Sequence, residues 1–181
     1  MIQDICLPRY DWQIVTFSHK VKEVASILTG IPVERFYERR VKEHFFKEWG
    51  MTGREMLQKI GTDCMREHLH KDVWVKGLFV DYFPGGDWRQ IGEIGRIRGP
   101  NEYPNWIITD VRFINEVEAI QKRQGIVLKL LKNWDNPDQH QSEKEVEDIN
   151  ADFVINNTSQ NLRETQDEVK NFLKIYGFLL K

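Results

Sequence analysis

The feature that most constrains the fold is an alternation of apolar segments with helical patterns in the second half of the chain. An apolar, β-prone segment ends at Thr109, and a helical pattern follows from about Asn115 to Gln124, with Gly125 as its stop. Another apolar segment, Ile126 to Leu131, comes directly after that glycine. Parallel strands need a crossover connection, which is usually a helix. The alternation therefore predicts an α/β fold with a parallel sheet flanked by helices.

The same patterns predict a parallel sheet of about four strands. The strands are expected at Trp12–Phe17, Trp106–Thr109, Ile126–Leu131 and Asp152–Ile155. Besides the helix after Thr109, helices are expected from Ser18 as a cap to Gly30, from Pro32 to about Phe46, from a Thr52–Glu55 capping box, over about Asp72–Val80, in a short acidic piece after His140, and from near Ser159 with the stripe Leu162, Val169, Phe172 and Leu173.

Length and composition favour a single soluble domain. The chain has 181 residues, of which 40% are hydrophobic and 30% charged, and its net charge of −2 indicates neither a nucleic-acid partner nor a membrane surface. Cys6 and Cys64 form no C-x-x-C pair, no apolar run could span a bilayer, and residues 1–11 form a tail unlike a secretory signal. A cytoplasmic protein is expected.

Residues 81–105 form a long Gly/Pro-rich stretch, which predicts a lid, a binding loop or an insertion. Its glycines at 92, 95 and 99 do not predict a phosphate-binding loop. No apolar strand precedes them, and no Gly-Lys-Ser/Thr follows.

Asp110 and Arg112 follow directly on a predicted strand. In α/β sheets ligands bind beyond the carboxyl ends of the strands. Asp110 could hold Mg²⁺, and the planar fork of Arg112 suits a phosphate group. The alternative is that Asp110 caps the helix that follows it and Arg112 is simply solvated.

The helix after Thr52 carries Arg54, Gln58 and Arg66 over a face about 120° wide, away from its apolar side. Two guanidinium groups and an amide suit a site that binds an anion and a base or sugar, but an ordinary solvated face has the same composition. Lys22 could serve as a point charge for phosphate or be a surface lysine. Trp74 could stack on a base or belong to the core.

Several segments in a fixed order resemble the deoxynucleoside monophosphate kinases of tailed bacteriophages, a family of P-loop kinases. The likeness runs from about Trp12 to the end, and the segments are Phe17 to Lys22, Gly53 to Gln58 with Gly61 and Arg66, Trp74, Thr109 to Glu116, His140 to Glu143, and Asp152 to Asn157. The resemblance implies transfer of the γ-phosphoryl group of ATP to a deoxynucleoside monophosphate with Mg²⁺, in the cytoplasm of a phage-infected bacterium.

The resemblance also implies roles for individual residues. Asp110 and Arg112 would lie at the phosphates, with Asp110 at the metal, and residues 132–140 would form a lid over ATP that includes Lys132. The monophosphate side would comprise Lys22, Arg54, Gln58, Arg66, Trp74 and Glu116.

One departure from the family is large. The chain contains no Gly-x-x-x-x-Gly-Lys-Ser/Thr loop, and its first predicted strand corresponds to the family's second. Either the sequence is an N-terminally truncated, inactive form, or it is a non-catalytic relative that binds a nucleotide, a phosphate or a protein. A sheet that lacks a central strand would expose its edges, so a homodimer is expected in either case.

Overall fold

In this computed structural model, four of the six described strands lie where the apolar segments of the sequence predicted them. The structure describes residues 12–84, 103–131, 148–156 and 162–178. In chain order their elements are β1 (Trp12–Val15), α1 (Phe17–Thr29), a 3₁₀ helix (Val33–Tyr37), α2 (Arg39–Glu43), β2 (Phe45–Phe46), β3 (Met51–Thr52), α3 (Gly53–Gln58), a π-helical segment (Lys59–Cys64), α4 (Met65–His68), α5 (Val73–Phe79), β4 (Asn105–Ile108), α6 (Ile114–Gln121), β5 (Leu128–Leu131), β6 (Phe153–Asn156) and α7 (Leu162–Ile175).

The strands pair two by two within the described residues. β1 pairs with β4, β2 pairs with β3 in an antiparallel hairpin, and β5 pairs with β6 in parallel register. The chain is thus a mixed α/β protein with small sheets flanked by helices. A single parallel sheet of about four strands is not seen among these residues, although a strand is present at each of the four predicted positions.

The chain divides into two compact units. The N-terminal unit comprises Ile14–Asp110, and the C-terminal unit comprises Val111–Lys181 together with Met1–Gln13. In the N-terminal unit α1 packs against α5 and against the π-helical segment. Its buried apolar side chains include Phe17, Val21, Ala25, Ile60, Trp74 and Leu78. The prediction of one domain for the whole chain stays a prediction.

The C-terminal unit buries α7 against the β5–β6 pair. Ile155 of β6 forms a core cluster with Val169, Phe172 and Leu173 of α7. Those three helix residues are the apolar stripe expected from the sequence, because positions three and four apart share one face of a helix. The side chain of Leu162, the first predicted member of the stripe, lies outside the described part of the structure. The predicted cap Ser159 and most of the acidic helix expected after His140 also lie outside the described residues.

The predicted helix from Pro32 to Phe46 is wrong. A 3₁₀ turn and the short helix α2 occupy its first part, and β2 occupies its end. The backbone is extended at Glu38 and again at His44, which ends each helical piece. Aromatic residues favour strands, and Phe45–Phe46 pair with Met51–Thr52 instead of continuing a helix.

Other helix boundaries are close to those expected. The N-cap of α1 is Thr16 rather than Ser18, and α5 occupies the segment expected to be helical near Asp72–Val80. Gln124, with a φ of 61°, takes the left-handed conformation after α6, and the Gly125 N–H then donates to the Ile120 carbonyl. The helix therefore stops at the expected place, but the residue with positive φ is the one before the glycine.

Candidate functional site

The carboxylate of Asp110 joins two distant parts of the N-terminal unit. Its Oδ1 accepts the Phe17 N–H and its Oδ2 accepts the Ser18 N–H, both at 2.9 Å, across 93 and 92 residues of sequence. These N–H groups belong to the first turn of α1, whose N-cap residue Thr16 supplies no side-chain capping hydrogen bond. An anion at a helix N-terminus is stabilised by the orphan N–H groups and by the helix dipole. Asp110 therefore caps a helix, but one from the opposite end of this unit.

Lys22 is buried one turn further along α1. Its side chain is only 6% exposed, and its Nζ donates to Ser18 Oγ at 2.7 Å and to the Ser18 carbonyl at 3.3 Å. Nζ also lies 4.3 Å from the ring centre of Tyr37, a cation–π distance. A lysine on the surface was one alternative from the sequence, and the structure excludes it.

Burial lowers the pKa of Lys22 from 10.5 to about 8. Removal of the ammonium from water is the largest cause, the nearby Asp110 carboxylate opposes it, and Lys42 adds a smaller repulsion. The Lys22 ammonium is therefore still mostly charged at neutral pH, although its pKa lies close to that pH.

Tyr37 and Ser18 were not identified as candidate site residues from the sequence. The Tyr37 hydroxyl is 2.8 Å from His19 Nδ1, and its pKa is raised, first by partial burial and also by the Asp110 charge. The four-residue spacing of Ser18 and Lys22 was a usable signal for their contact. No comparable signal existed for Tyr37, because the segment that contains it was expected to be part of a long helix.

The capping box at Thr52 is confirmed. Thr52 N–H donates to Glu55 Oε2 at 2.7 Å, and Glu55 N–H donates to Thr52 Oγ1 at 3.2 Å. The helix that starts there carries Arg54, which is exposed, and Gln58, which is half-buried. It then widens into the π-helical segment before it reaches Arg66, which is also half-buried.

Trp74 belongs to the core, which was one of its two expected roles. It is 5% exposed, and its Nε1–H donates to the Gly61 carbonyl at 2.7 Å. A nucleotide base could reach the indole face only if the surrounding side chains moved. The stacking role remains untested.

Arg112 and Glu116 lie in the C-terminal unit. Glu116 is 1% exposed, and its Oε2 accepts the backbone N–H groups of Arg112 at 2.8 Å and Phe113 at 3.2 Å. This carboxylate therefore orders the turn that begins α6. The Arg112 side chain is exposed. The roles predicted for both residues at a ligand stay predictions, and Lys132, predicted to contact ATP, lies outside the described residues.

No cluster of three or more metal-ligating side chains occurs among the described residues. Mg²⁺ does not require such a cluster, because it is commonly held by one or two carboxylates together with phosphate oxygens and water. Each oxygen of Asp110 accepts one N–H and has a second lone pair. Asp110 can therefore serve as a single protein ligand for Mg²⁺. Within the described part of the chain, no helix has both the length and the apolar character needed to cross a membrane.

A carboxylate, a helix N-terminus and a buried ammonium meet where β1 and β4 end, as in α/β proteins that bind anionic ligands beyond their strands. Residues 16–167 match the family model described as deoxynucleotide monophosphate kinase. The match covers most of the chain, which therefore belongs to the deoxynucleotide monophosphate kinase family. The chain is also 26% identical over 163 residues to a protein of Acanthamoeba polyphaga mimivirus named "Putative deoxynucleotide monophosphate kinase", with 85% of this chain and 79% of the relative covered.

Replacement of Asp110 tests the cap. Asp110→Ala should cost about 1–3 kcal/mol in the free energy of unfolding, because two N–H groups lose their acceptor. Hydrogen exchange measured by NMR should accelerate at the amides of Phe17 and Ser18. Asp63→Ala, at an exposed position, is the matched control and should leave both amides protected. Unchanged protection in Asp110→Ala would contradict the assigned contacts.

The lowered pKa of Lys22 predicts a pH dependence of stability. Between pH 8 and about 10.4 the unfolded chain holds a proton that the folded chain releases, so stability should rise with pH in this window. Relative to Lys22→Met, the wild-type free energy of unfolding should rise by up to about 3 kcal/mol across that window. Denaturant unfolding at a series of pH values measures the difference. If the free energy of unfolding changed with pH in the same way in both proteins, the lowered pKa of Lys22 would be contradicted.

Proposed function

We propose that this protein acts in phosphoryl transfer from ATP to a deoxynucleoside monophosphate, and that the chain supplies the monophosphate side of the reaction. The family match supports the reaction class. The observation that carries the proposal is the contact of Lys22 with Ser18 beside the helix N-terminus that Asp110 caps. We further propose a fold of the P-loop-kinase kind and kinship with the tailed-phage enzymes, both supported by the ordered motifs.

Lys22 is suited to bind a phosphate. An ammonium has three N–H donors, and the two contacts with Ser18 leave one for a phosphate oxygen within the described contacts. A charged donor in a partly desolvated position binds an anion more strongly than a solvated lysine does. Arg54, Gln58 and Arg66 would add guanidinium and amide donors, and Glu116 would bind on the substrate side as the motif resemblance implies.

Asp110 and Arg112 would act at the phosphates that react. Asp110 would hold Mg²⁺ through its remaining lone pairs, and the ion would neutralise charge on the phosphate oxygens. The guanidinium of Arg112 would stabilise the charge of the transferred group. The ATP side is different, because the sequence contains no Gly-x-x-x-x-Gly-Lys-Ser/Thr loop and Lys132 alone cannot replace its backbone donors. We therefore propose that the 181-residue chain by itself does not turn over ATP.

Calorimetry with deoxynucleoside monophosphates tests the binding role. We expect weak binding by the wild type, weakened at least about tenfold by Lys22→Met, because a charged hydrogen bond contributes about 1.5–3 kcal/mol. Arg54→Ala should also weaken it. Affinity should fall as the pH rises above 8 in the wild type but not in Lys22→Met, since Lys22 then loses its proton.

Lys20→Met is the matched control, because Lys20 lies on the same helix but pairs with Glu23 at 3.3 Å and Asp81 at 3.6 Å. This variant should bind within about twofold of the wild type. Absence of heat with all deoxynucleoside monophosphates would reject the binding role.

A non-catalytic nucleotide-binding or protein-interaction module is the second candidate, supported by the absence of the ATP loop from these residues. An in-frame Gly-x-x-x-x-Gly-Lys-Ser/Thr sequence upstream of the Met1 codon would favour the enzyme, and an upstream stop codon would favour the module. Robust ATP-dependent turnover by the 181-residue chain would contradict the proposed inactivity.

Self-association is a further part of the proposal. Large apolar side chains are exposed on α1, where Ile27 is 82% and Leu28 is 51% exposed. Burial of such surface between two copies would stabilise a dimer. Sedimentation equilibrium should give the mass of a homodimer, and a monomer at all concentrations tested would contradict this expectation.

A further inference from the structure

The π-helical segment Lys59–Cys64 lies between the two arginines of the proposed monophosphate side. A π-helix places its hydrogen bonds five residues apart instead of four, and such wide turns are rare and concentrate at functional sites. Here the wide turn separates Arg54 and Gln58, which precede it, from Arg66, which follows it. Its geometry therefore decides how these three side chains are arranged.

One hydrogen bond from outside the helix is directed at this turn. In a regular α-helix the Met65 N–H would donate to the Gly61 carbonyl, four residues earlier. It donates to the Thr62 carbonyl, three residues earlier, so the π-helical segment closes with a tight turn. The Gly61 carbonyl accepts the indole N–H of Trp74 at 2.7 Å. The indole donor thus occupies the acceptor that a straight α-helix would use for its own backbone.

The core side of the turn is buried. Trp74 is 5% exposed, and Ile60 and Thr62 within the turn are also buried. The Met65 N–H does not reach the half-buried Gly61 carbonyl, so the indole N–H supplies this carbonyl with a donor and thereby stabilises the wide turn. On the side that carries the arginines, Arg54 is exposed and provides no such constraint, while Gln58 and Arg66 are half-buried.

The extra residue changes the direction of Arg66. With 100° per residue, a regular helix would place Arg66 about 120° around the axis from Arg54. One additional residue in the wide turn sets every later side chain back by about 100°. Arg66 then lies within about 20° of Arg54, and Gln58 lies between them along the same face.

We propose that Trp74 is a positioning residue: its indole N–H holds the wide turn that aligns Arg54, Gln58 and Arg66 on one face, and this alignment lets them bind one deoxynucleoside monophosphate together. The second half of this inference rests on the proposed function. Trp74 acts through the helix backbone and does not touch the ligand.

Histidine pairs test the turn without any nucleotide. The test uses a His68→Ala background, because the native His68 lies four residues after Cys64 and would pair with a histidine placed there. Lys59 and Cys64 are both exposed and five residues apart, so Lys59→His with Cys64→His should chelate Ni²⁺ across a π turn. Lys59→His with Asp63→His has the four-residue spacing of an α-helix and is the matched control. We expect the first pair to bind Ni²⁺ at least tenfold more tightly, and Trp74→Phe should reverse that order.

A double-mutant cycle tests the functional half. Trp74→Phe should weaken binding of a deoxynucleoside monophosphate about tenfold, and Arg66→Ala should then weaken it less than it does in the wild type. A purely structural role would lower the melting temperature but leave the effect of Arg66→Ala unchanged. Trp49→Phe, at a more exposed tryptophan of the same unit, is the control and should change neither quantity.

Deletion of Asp63 provides a second variant in case Trp74→Phe does not fold. With one residue removed, Arg66 follows Arg54 by 11 positions instead of 12. In a regular α-helix these two side chains would then lie about 20° apart around the axis. The deletion should therefore retain monophosphate binding, and loss of binding by a folded deletion variant would contradict the proposed alignment.

The possible outcomes separate the two proposals. If the order of Ni²⁺ affinities survives Trp74→Phe, Trp74 does not hold the turn. If the order reverses but the cycle is additive, the turn does not position the arginines for the ligand. If the wild type binds no deoxynucleoside monophosphate, the proposed function fails and the functional half of this inference falls with it, while the Ni²⁺ result still decides the structural half.

Discussion

The hydrogen bonds from the Asp110 carboxylate to the first turn of α1 are the contacts on which the N-terminal unit depends. They satisfy two of the orphan N–H groups of that helix and hold Asp110, two residues after β4, against Phe17 and Ser18, which follow β1. The two strands therefore end side by side, although more than ninety residues separate them in sequence. The helix dipole and the carboxylate charge reinforce each other at this point, as they do wherever an acid lies at a helix N-terminus.

Lys22 depends on the same contacts. Burial alone would favour its neutral form, and the Asp110 carboxylate restores part of the preference for the charged form. The balance leaves a lysine whose pKa lies near physiological pH, next to a helix N-terminus that carries partial positive charge. A buried ammonium beside a helix N-terminus is compatible with an anionic ligand, as is expected for a member of the deoxynucleotide monophosphate kinase family.

Local patterns in the sequence predicted those parts of the structure that local contacts determine. The capping box at Thr52 was predictable because both of its hydrogen bonds connect residues three apart. The apolar stripe of α7 was predictable because helical periodicity repeats along one segment. The hairpin at Phe45 and Met51 was missed, because charged residues with high helix propensity precede it and its strands are short. The sequence allowed two roles for Trp74; its burial shows that it belongs to the core, and the stacking role stays a prediction.

The sequence by itself determined which chemical groups are present and where most strands and helices lie: a carboxylate after a strand, a lysine on the first helix, and arginines on a capped helix. Only the tertiary structure decided what those groups do to one another. It paired Asp110 with a helix from the other end of its unit and buried Lys22 with its ammonium against the Tyr37 ring. It also directed the indole N–H of Trp74 to the Gly61 carbonyl in a widened helix turn. The reason is physical: periodicity and propensity act within a few residues, whereas burial, pKa shifts and buried hydrogen bonds depend on partners that the folded chain brings from far away in sequence.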